Sequence, residues 1–325
     1  MNSFGRLFCV HIFGESHGNG VGICIDGCPE GIPLSADDFT ADLARRKSGA
    51  PGTTPRIEND IPEILSGIYG GYTTGAPISI LFRNENTRSS DYGHFAAMPR
   101  PGHADFTGCR KFNGFNDPRG GGHFSGRVTL GIVSAGVLAK KIIAPVNIEA
   151  TLVKVGGSTD IQDKIKEALA EKDSVGGLIH CRISGLHAGI GNPFFDSLES
   201  VLAHILFSIP GVKGVEFGAG FSAADMKGSE HNDPIANSTG ETLTNNAGGI
   251  NGGISNGNDI RINIAIKPTS SIGKEQQTFN FETQQMDTLK AGGRHDACIA
   301  LRIPVIVEAA SAIALADLMF AKNRT

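Results

Sequence analysis

Residues 249–257 read GINGGISNG, and residues 67–75 read GIYGGYTTG. Each stretch leads into a run with isoleucine at alternate positions, beginning at Ile260 and at Ile78. The two copies keep a constant offset of 182 residues. Paired glycines favour a tight hairpin turn, and the alternation favours a strand. The chain therefore contains an internal repeat of a turn followed by a strand.

The repeat extends upstream of these turns. Residues 25–32 resemble residues 183–190, and a helical pattern follows in both halves, near 36–47 and near 196–208. Each half is therefore predicted to run strand, helix, strand, strand. A glycine-rich loop with a histidine then follows, containing His123 in one half and His295 in the other.

Two long apolar segments, at about 128–143 and 304–320, are predicted to be helices. They are apolar over most of their circumference, which is typical of buried helices. Strand segments such as 260–264 alternate apolar and polar residues, as in sheets with one wet face. We expect an α+β fold of internally duplicated β-α-β-β modules, with buried helices sandwiched between two mainly antiparallel sheets.

The predicted organisation is a single domain over residues 1–325, with pseudo-repeats at about 5–145 and 170–322. A doubly wound parallel sheet is disfavoured, because the glycine loops do not open strand-to-helix units with the pattern GxGxxG.

Composition limits the function. The chain has 325 residues, a formal net charge of -4 and a pI near 6.2, which argue against a general polyanion binder. Any anion site must be local.

The absence of a long uninterrupted apolar stretch and of a signal-peptide core predicts a cytoplasmic protein with no membrane segment. Six scattered cysteines lack the spacing of a zinc site, so no metal site is expected.

Two histidines lie in glycine-containing motifs. His17 lies in GESHG, residues 14–18, and His103 lies in RPGHAD, residues 100–105. The prolines around Arg100 fix its backbone, as bidentate recognition of a carboxylate or phosphate requires. A solvated turn is the alternative for either motif alone. Together, the two motifs indicate acid chemistry on a phosphorylated substrate.

Basic residues recur beside glycine and proline, and together they are expected to line one anion-binding pocket. They are Arg45, Arg46, Lys47, Arg56, Arg119, Arg127, Lys267 and Arg294.

Several of these motifs, in this order and over nearly the whole chain, resemble the signatures of the chorismate synthase family. They are residues 14–18, 100–105, 119–122 (RGGG), 211–216 (GVKGVE), 267–271 (KPTSS) and 293–296 (GRHD). The resemblance implies that 5-enolpyruvylshikimate 3-phosphate loses phosphate and a ring hydrogen to give chorismate, in an anti-1,4-elimination without net redox change. It also implies reduced FMN as cofactor, an external reductant or NADPH to keep it reduced, and a homotetramer.

The same resemblance implies roles for individual residues. His17 would protonate the departing phosphate, His103 would manage the protonation of the reduced flavin, and Asp296 would lie by flavin N5 and help it accept the ring hydrogen. The residues expected to hold substrate anions are Arg46, Lys47, Arg100, Arg127 and Arg294. Those expected to bind FMN are His123, Phe124, Ser125, Gly252, Lys267, Pro268, Thr269, Ser270, Ser271 and Arg294.

The chain departs from the family pattern at two places in this set. Residues 50–52 lack a second arginine, for which Lys47 is the expected substitute. His123 and Phe124 stand where relatives have arginine and serine, so their backbone is expected to make the first flavin contact.

Two other functions remain open at this point, a flavin-dependent oxidoreductase acting on a small anionic substrate and a non-catalytic anion-binding module.

Overall fold

The computed structural model describes residues 1–56, 58–86, 95–291 and 295–322. The strands in these ranges are β1 (Ser3–Phe4), β2 (Cys9–Gly14), β3 (Gly20–Asp26), β4 (Glu63–Ile64), β5 (Ile68–Tyr69), β6 (Tyr72–Thr73), β7 (Ile78–Arg83), β8 (Asn147–Val155), β9 (Gly177–Ser184), β10 (Val212–Phe217), β11 (Ile250–Asn251), β12 (Ile254–Ser255), β13 (Ile260–Ile266), β14 (Glu275–Asn280) and β15 (Gln285–Lys290). The α-helices are α1 (Thr40–Arg46), α2 (Asp105–Lys111), α3 (Thr129–Ile142), α4 (Ile161–Ala170), α5 (Leu198–Leu206), α6 (Gly228–His231) and α7 (Pro304–Lys322).

Two antiparallel sheets hold most of the long strands. Sheet 1 has five strands in the order β1-β2-β3-β7-β4, and sheet 2 has four in the order β10-β13-β9-β8. The other strands form two-stranded hairpins. In β13 the isoleucines are buried while the residues between them are exposed or half-buried, as the alternation predicts. The expectation of an α+β protein with antiparallel sheets and buried helices is confirmed.

Helices α3 and α7 form the centre of the core. They pack against each other, α3 against β3 of sheet 1 and α7 against β8 of sheet 2. Their bounds differ by at most two residues from the predicted segments. Helix α7 is long and apolar enough to span a membrane by composition, but 78% of its most apolar window is buried inside the protein. It is therefore a core helix.

The two central helices approach closely at Gly136 of α3. A Cβ atom there would lie 2.3 Å from the Cβ of Ala309 and 2.5 Å from its Cα, so α7 would have to move. We expect Gly136→Ala to lower the free energy of unfolding by about 1–3 kcal/mol, as overpacked cores do. Helix propensity alone predicts the opposite change, a gain in stability, because alanine favours the helix more than glycine does. Gly228→Ala in α6, where a Cβ meets nothing within 4 Å, is the matched control for urea unfolding. Equal stability of both variants would contradict this packing argument.

The repeated turns have nearly the same backbone in both halves. Gly70 and Gly71 have φ of 59° and 83°, while Gly252 and Gly253 have φ of 61° and 84°. Two consecutive left-handed residues make the hairpin turn whose twist matches that of strands, which is why glycine pairs occur there. The helical patterns near 36–47 and 196–208 appear as the shorter helices α1 and α5, each preceded by one 3₁₀ turn.

Candidate active site

A cavity of about 810 Å³ opens at the ends of β2 and α3. Eight basic side chains line it, namely Arg46, Lys47, Arg56, Arg100, Arg127, Lys213, Lys267 and Arg302. Three carboxylates among the described residues line it as well, namely Glu58, Asp60 and Asp296. The cavity is therefore cationic in a chain whose net charge is -4, as a local anion site requires.

A tract of three left-handed glycines brings the two predicted histidines to one wall. A Cβ atom on Gly120 would lie 2.6 Å from Nε2 of His17, and one on Gly121 would lie 3.5 Å from Nε2 of His103. The φ angles of residues 120–122 are 60°, 79° and 53°. Because adjacent Cα atoms lie only about 3.8 Å apart, both imidazoles border the same short segment. Only glycine gives the backbone angle and the space at position 120.

The loop between β2 and β3 holds His17. The Asn84 amide donates to the carbonyl oxygens of Glu15 (2.9 Å) and Gly18 (2.8 Å), which fixes the ends of the turn. Arg56 donates to Oγ and to the carbonyl oxygen of Ser16. His17 is buried, with 8% of the residue exposed, and does not itself line the cavity, but it lies beside Gly120, which does. The sequence predicts a solvated or a functional histidine here, and the first alternative is excluded.

His103 has a carboxylate partner at its inner edge. Its Nδ1 lies 2.6 Å from Oδ1 of Asp105, the first residue of α2. Arg100 binds both oxygens of that carboxylate, with Nε and Nη2 each at 2.7 Å. Burial alone would raise the pKa of Asp105, but the hydrogen bonds from Arg100 and His103 outweigh it and hold the pKa well below its usual range. Arg100 also donates to Ser271 and lies over the ring of Phe95, 4.3 Å from its centroid.

A buried ion triad forms another part of the cavity wall. Asp60 accepts from Nη1 of Arg127 at 2.8 Å and pairs with Nη1 of Arg46 at 3.5 Å. Burial, together with the guanidinium of Arg302, lowers the pKa of Arg46 to about 9, so that Arg46 stays cationic at neutral pH. Arg46 also donates to Thr129 and to the backbone that opens α3. Side chains held in this way have little conformational freedom left to lose on binding an anion.

The segment 267–271 packs on the loop that carries His103. Lys267 and Ser270 both donate to the carbonyl oxygen of Gly102. Burial, and then repulsion from Lys213, lowers the pKa of Lys267. The hydroxyl of Thr269 is buried in the cavity wall and has no hydrogen-bond partner in the described part of the chain. A buried hydroxyl without a hydrogen-bond partner lowers stability unless a ligand supplies that partner.

Asp296 lies where the 49–56 loop meets the start of α7. Its Oδ1 accepts from the Thr54 amide at 3.0 Å and from Nη1 of Arg302 at 3.4 Å. Arg302 also donates to the carbonyl oxygen of Arg46, so this carboxylate is tied to the buried arginines.

Most residues predicted from the sequence come together here. The predicted residues that line the cavity are Arg46, Lys47, Arg100, His103, His123, Phe124, Ser125, Arg127, Lys267, Pro268, Thr269, Ser270, Ser271 and Asp296. Gly252 does not line it, since it lies in the exposed β11–β12 turn. Arg294 lies outside the described residues. Arg119 is paired with Asp117 at the surface, not in the cavity.

Known proteins resemble this chain over nearly its whole length. The family model described as chorismate synthase matches residues 8–320. The chain belongs to the chorismate synthase family.

Individual relatives extend over the full length. The chorismate synthase of Chitinophaga pinensis is 57% identical over 100% of this chain and 98% of its own. That of Methanocaldococcus jannaschii is 42% identical over 98% of this chain and 96% of its own. A solved crystal structure of chorismate synthase superimposes with a TM-score of 0.75 at 26% identity, covering 98% of this chain and 93% of that one.

As a chorismate synthase, the protein is a phosphate-eliminating lyase that converts 5-enolpyruvylshikimate 3-phosphate into chorismate, in the shikimate pathway to the aromatic amino acids. The family depends on reduced FMN.

Three residues that line this cavity were not assigned from the sequence. Asp60 holds the two buried arginines, Arg302 holds Asp296, and Lys213 faces Lys267. Lys213 lies in a recognised motif and could have been found there. Asp60 pairs with Arg127, 67 residues away in sequence, and Arg302 donates to the backbone of Arg46, 256 residues away, so only the fold reveals them.

Proposed function

We propose that the single cationic cavity binds 5-enolpyruvylshikimate 3-phosphate and reduced FMN together, between His17 and His103. The observation that carries this proposal is the meeting of both imidazoles on consecutive glycines at one wall. A volume of about 810 Å³ lies near the top of the range of about 300–1,000 Å³ for ligand sites, as two ligands require. The substrate has two carboxylates and a phosphate, which match the excess of cations.

We assign the substrate to the side of the cavity formed by Arg46, Lys47, Arg56 and Arg127. Arg46 and Arg127 are held rigid by Asp60, and Arg56 is held by Glu58 at 2.6 Å. Arg294 remains a proposed substrate and flavin contact. Arg100 was expected to hold a substrate anion, but its guanidinium already binds both oxygens of Asp105. We therefore assign the hydrogen bonds of Arg100 to the Asp105 carboxylate. Arg100 would act on the substrate only through its positive charge, without a direct contact.

His17 is the proposed acid for the departing phosphate. As the carbon-oxygen bond breaks, negative charge grows on the leaving oxygen, and a proton delivered there lowers the barrier. The Cδ2–Nε2 edge of the ring faces Gly120, which lines the cavity, so Nε2 is the proposed donor atom. The surrounding guanidinium groups stabilise the same growing charge.

The remaining side of the cavity fits FMN. Thr269 offers a buried hydroxyl with no partner in the described residues, and neither Lys213 nor Lys267 forms an ion pair with a carboxylate among them. The backbone of His123 and Phe124, the hydroxyl of Ser125 and the segment 267–271 would hold the cofactor. When bound, reduced FMN supplies electron density that eases loss of phosphate from the ring.

Two residues are proposed to hold protons on the flavin side. His103 would exchange a proton with the flavin through Nε2, on the ring edge that faces Gly121. Asp296 has its Oδ1 engaged with Thr54 and Arg302, which leaves Oδ2 as the oxygen that can take up a proton.

Thr269 provides a test of the flavin fit. We expect Thr269→Val to weaken FMN binding by about three- to tenfold, the usual worth of one hydrogen bond, without lowering the free energy of unfolding of the ligand-free protein. The matched control is Thr278→Val, whose hydroxyl donates to Pro99 at 2.7 Å and whose loss should destabilise the fold instead. Fluorescence titration and thermal unfolding measure the two effects. Unchanged FMN affinity in Thr269→Val would remove this hydroxyl from the site.

The reaction itself is tested under anaerobic conditions with dithionite-reduced FMN and the enolpyruvyl substrate. We expect one phosphate to be released for each chorismate formed, where chorismate is monitored by its absorbance. Reductant should not be consumed in proportion to turnover. An oxidoreductase would oxidise reductant at each turnover and release no phosphate, which would refute the proposal.

We further propose a duplicated architecture within one domain, supported by the matching φ angles of the β5–β6 and β11–β12 turns and by strands β7 and β13 at the same offset of 182 residues. A homotetramer is proposed from the family resemblance. Cytoplasmic location is supported by the six free cysteines and the buried α7. An external reductant or NADPH would keep the flavin reduced.

A further inference from the structure

The contact between His103 and Asp105 determines which ring nitrogen carries a proton. Asp105 is ionised, because the hydrogen bonds described above hold its pKa well below the usual range. Its side chain is only 8% exposed. An ionised carboxylate can only accept, so the 2.6 Å contact with Nδ1 requires a proton on that nitrogen.

The nearby guanidinium is consistent with that assignment. Nη2 of Arg100 lies 3.1 Å from Nδ1 of His103, but a guanidinium can only donate. Both nitrogens therefore point their protons at the same oxygen, Oδ1 of Asp105, and the distance between them follows from that sharing. Arg100 is itself fixed by Ser271 and by the ring of Phe95.

We infer that Asp105, clamped by Arg100, is a positioning residue that keeps the His103 proton on Nδ1 and so makes Nε2 the atom that exchanges a proton in the cavity. This inference rests on the proposed function of His103. The Cε1–Nε2 edge lies 3.5 Å from the Cβ position of Gly121, opposite to the carboxylate. A neutral ring with its proton on Nε2 has no lone pair on that side and could not accept one.

The direct test is the tautomer of neutral His103 in the protein without ligands, measured by ¹⁵N–¹H correlation NMR. In wild type we expect the population of the Nδ1–H form to exceed that of the Nε2–H form by at least about tenfold. Asp105→Asn should shift the population toward Nε2–H, because an amide offers one acceptor oxygen where four donors now meet, namely the backbone amide, Nε and Nη2 of Arg100 and Nδ1 of His103. Asp233→Asn, a hydrogen-bonded carboxylate in the 228–247 loop, is the matched control and should change nothing. An unchanged tautomer in Asp105→Asn would overturn the inference.

Kinetics separate positioning from a merely structural role. We expect Asp105→Asn to lower kcat by about 10²-fold or more with KM for the substrate changed less than about threefold, as for the aspartate of a Ser-His-Asp triad. In a His103→Ala background the same substitution should cost less than about twofold, since its effect passes through the ring. An equal loss in both backgrounds would show that Asp105 acts on the fold.

Two further outcomes are assigned in advance. Wild-type turnover in His103→Ala would refute the proposed role of His103, while the NMR result would still decide whether Asp105 sets the tautomer. If Asp105→Asn does not fold, Arg100→Lys keeps the carboxylate and loosens its clamp. It should then produce the same tautomer shift to a smaller extent, and no shift in Arg100→Lys would count against the inference.

Discussion

Replacement of His17 with alanine is expected to lower kcat by about 10²–10⁴-fold, the usual contribution of a general acid. KM for 5-enolpyruvylshikimate 3-phosphate should change little, because the arginines that hold the substrate lie on other elements. The ring occupies the space beside Gly120, and alanine leaves the turn held by Asn84 intact. Anaerobic phosphate release at saturating reduced FMN measures the effect.

The matched control for this prediction is His180→Ala. His180 lies on β9 of sheet 2, bonds to Asn263 and does not line the cavity. Its loss should leave kcat within about twofold of wild type. Wild-type kcat in His17→Ala would assign the leaving-group proton to another donor, and a parallel rise in KM would instead indicate a binding role.

Neutralising the centre of the buried ion triad should have the largest effect on stability. We expect Asp60→Asn to lower the free energy of unfolding by about 3–5 kcal/mol, because it leaves Arg46 and Arg127 buried without their shared counter-charge. Native domains are stable by only about 5–15 kcal/mol, so this is a large fraction of the total. Asparagine tolerates the left-handed φ of 54° at this position, so backbone strain adds little.

Urea unfolding measures this loss against an exposed ion pair. The control is Glu63→Gln, which removes the partner of Arg83 on the surface, where the two side chains are 40% and 57% exposed. It should cost less than about 1 kcal/mol. A loss below about 1 kcal/mol in Asp60→Asn would mean that water or another carboxylate compensates the two arginines, and would contradict the argument that Asp60 is their essential counter-charge.

The local pattern of the fold could be predicted from the sequence to a large extent. The glycine pairs at 70–71 and 252–253 require left-handed backbone, and both turns were placed correctly for that reason. The apolar circumference of α3 and α7 marked them as buried. The sheet order was not accessible, because the pairing of β13 between β9 and β10 depends on contacts between distant segments.

The site could be predicted as a set of residue types but not as a set of contacts. Motifs located His17, His103 and the 267–271 segment, since their glycines and prolines fix the local backbone. Motifs did not reveal that Arg100 forms an ion pair with Asp105, because the partner of a guanidinium depends on which carboxylate is buried beside it. The expected place of Gly252 at the flavin came from the family pattern, and the turn that carries it lies away from this cavity.

The central claim is that one cationic cavity holds both molecules between two imidazoles. The most direct measurement is a crystal structure of the protein with oxidised FMN and 5-enolpyruvylshikimate 3-phosphate bound. The account predicts the phosphate within hydrogen-bond distance of His17 at Gly120, and the flavin beside His103, Thr269 and Asp296. Ligands bound away from Gly120 and Gly121, with either imidazole out of reach of both, would contradict it.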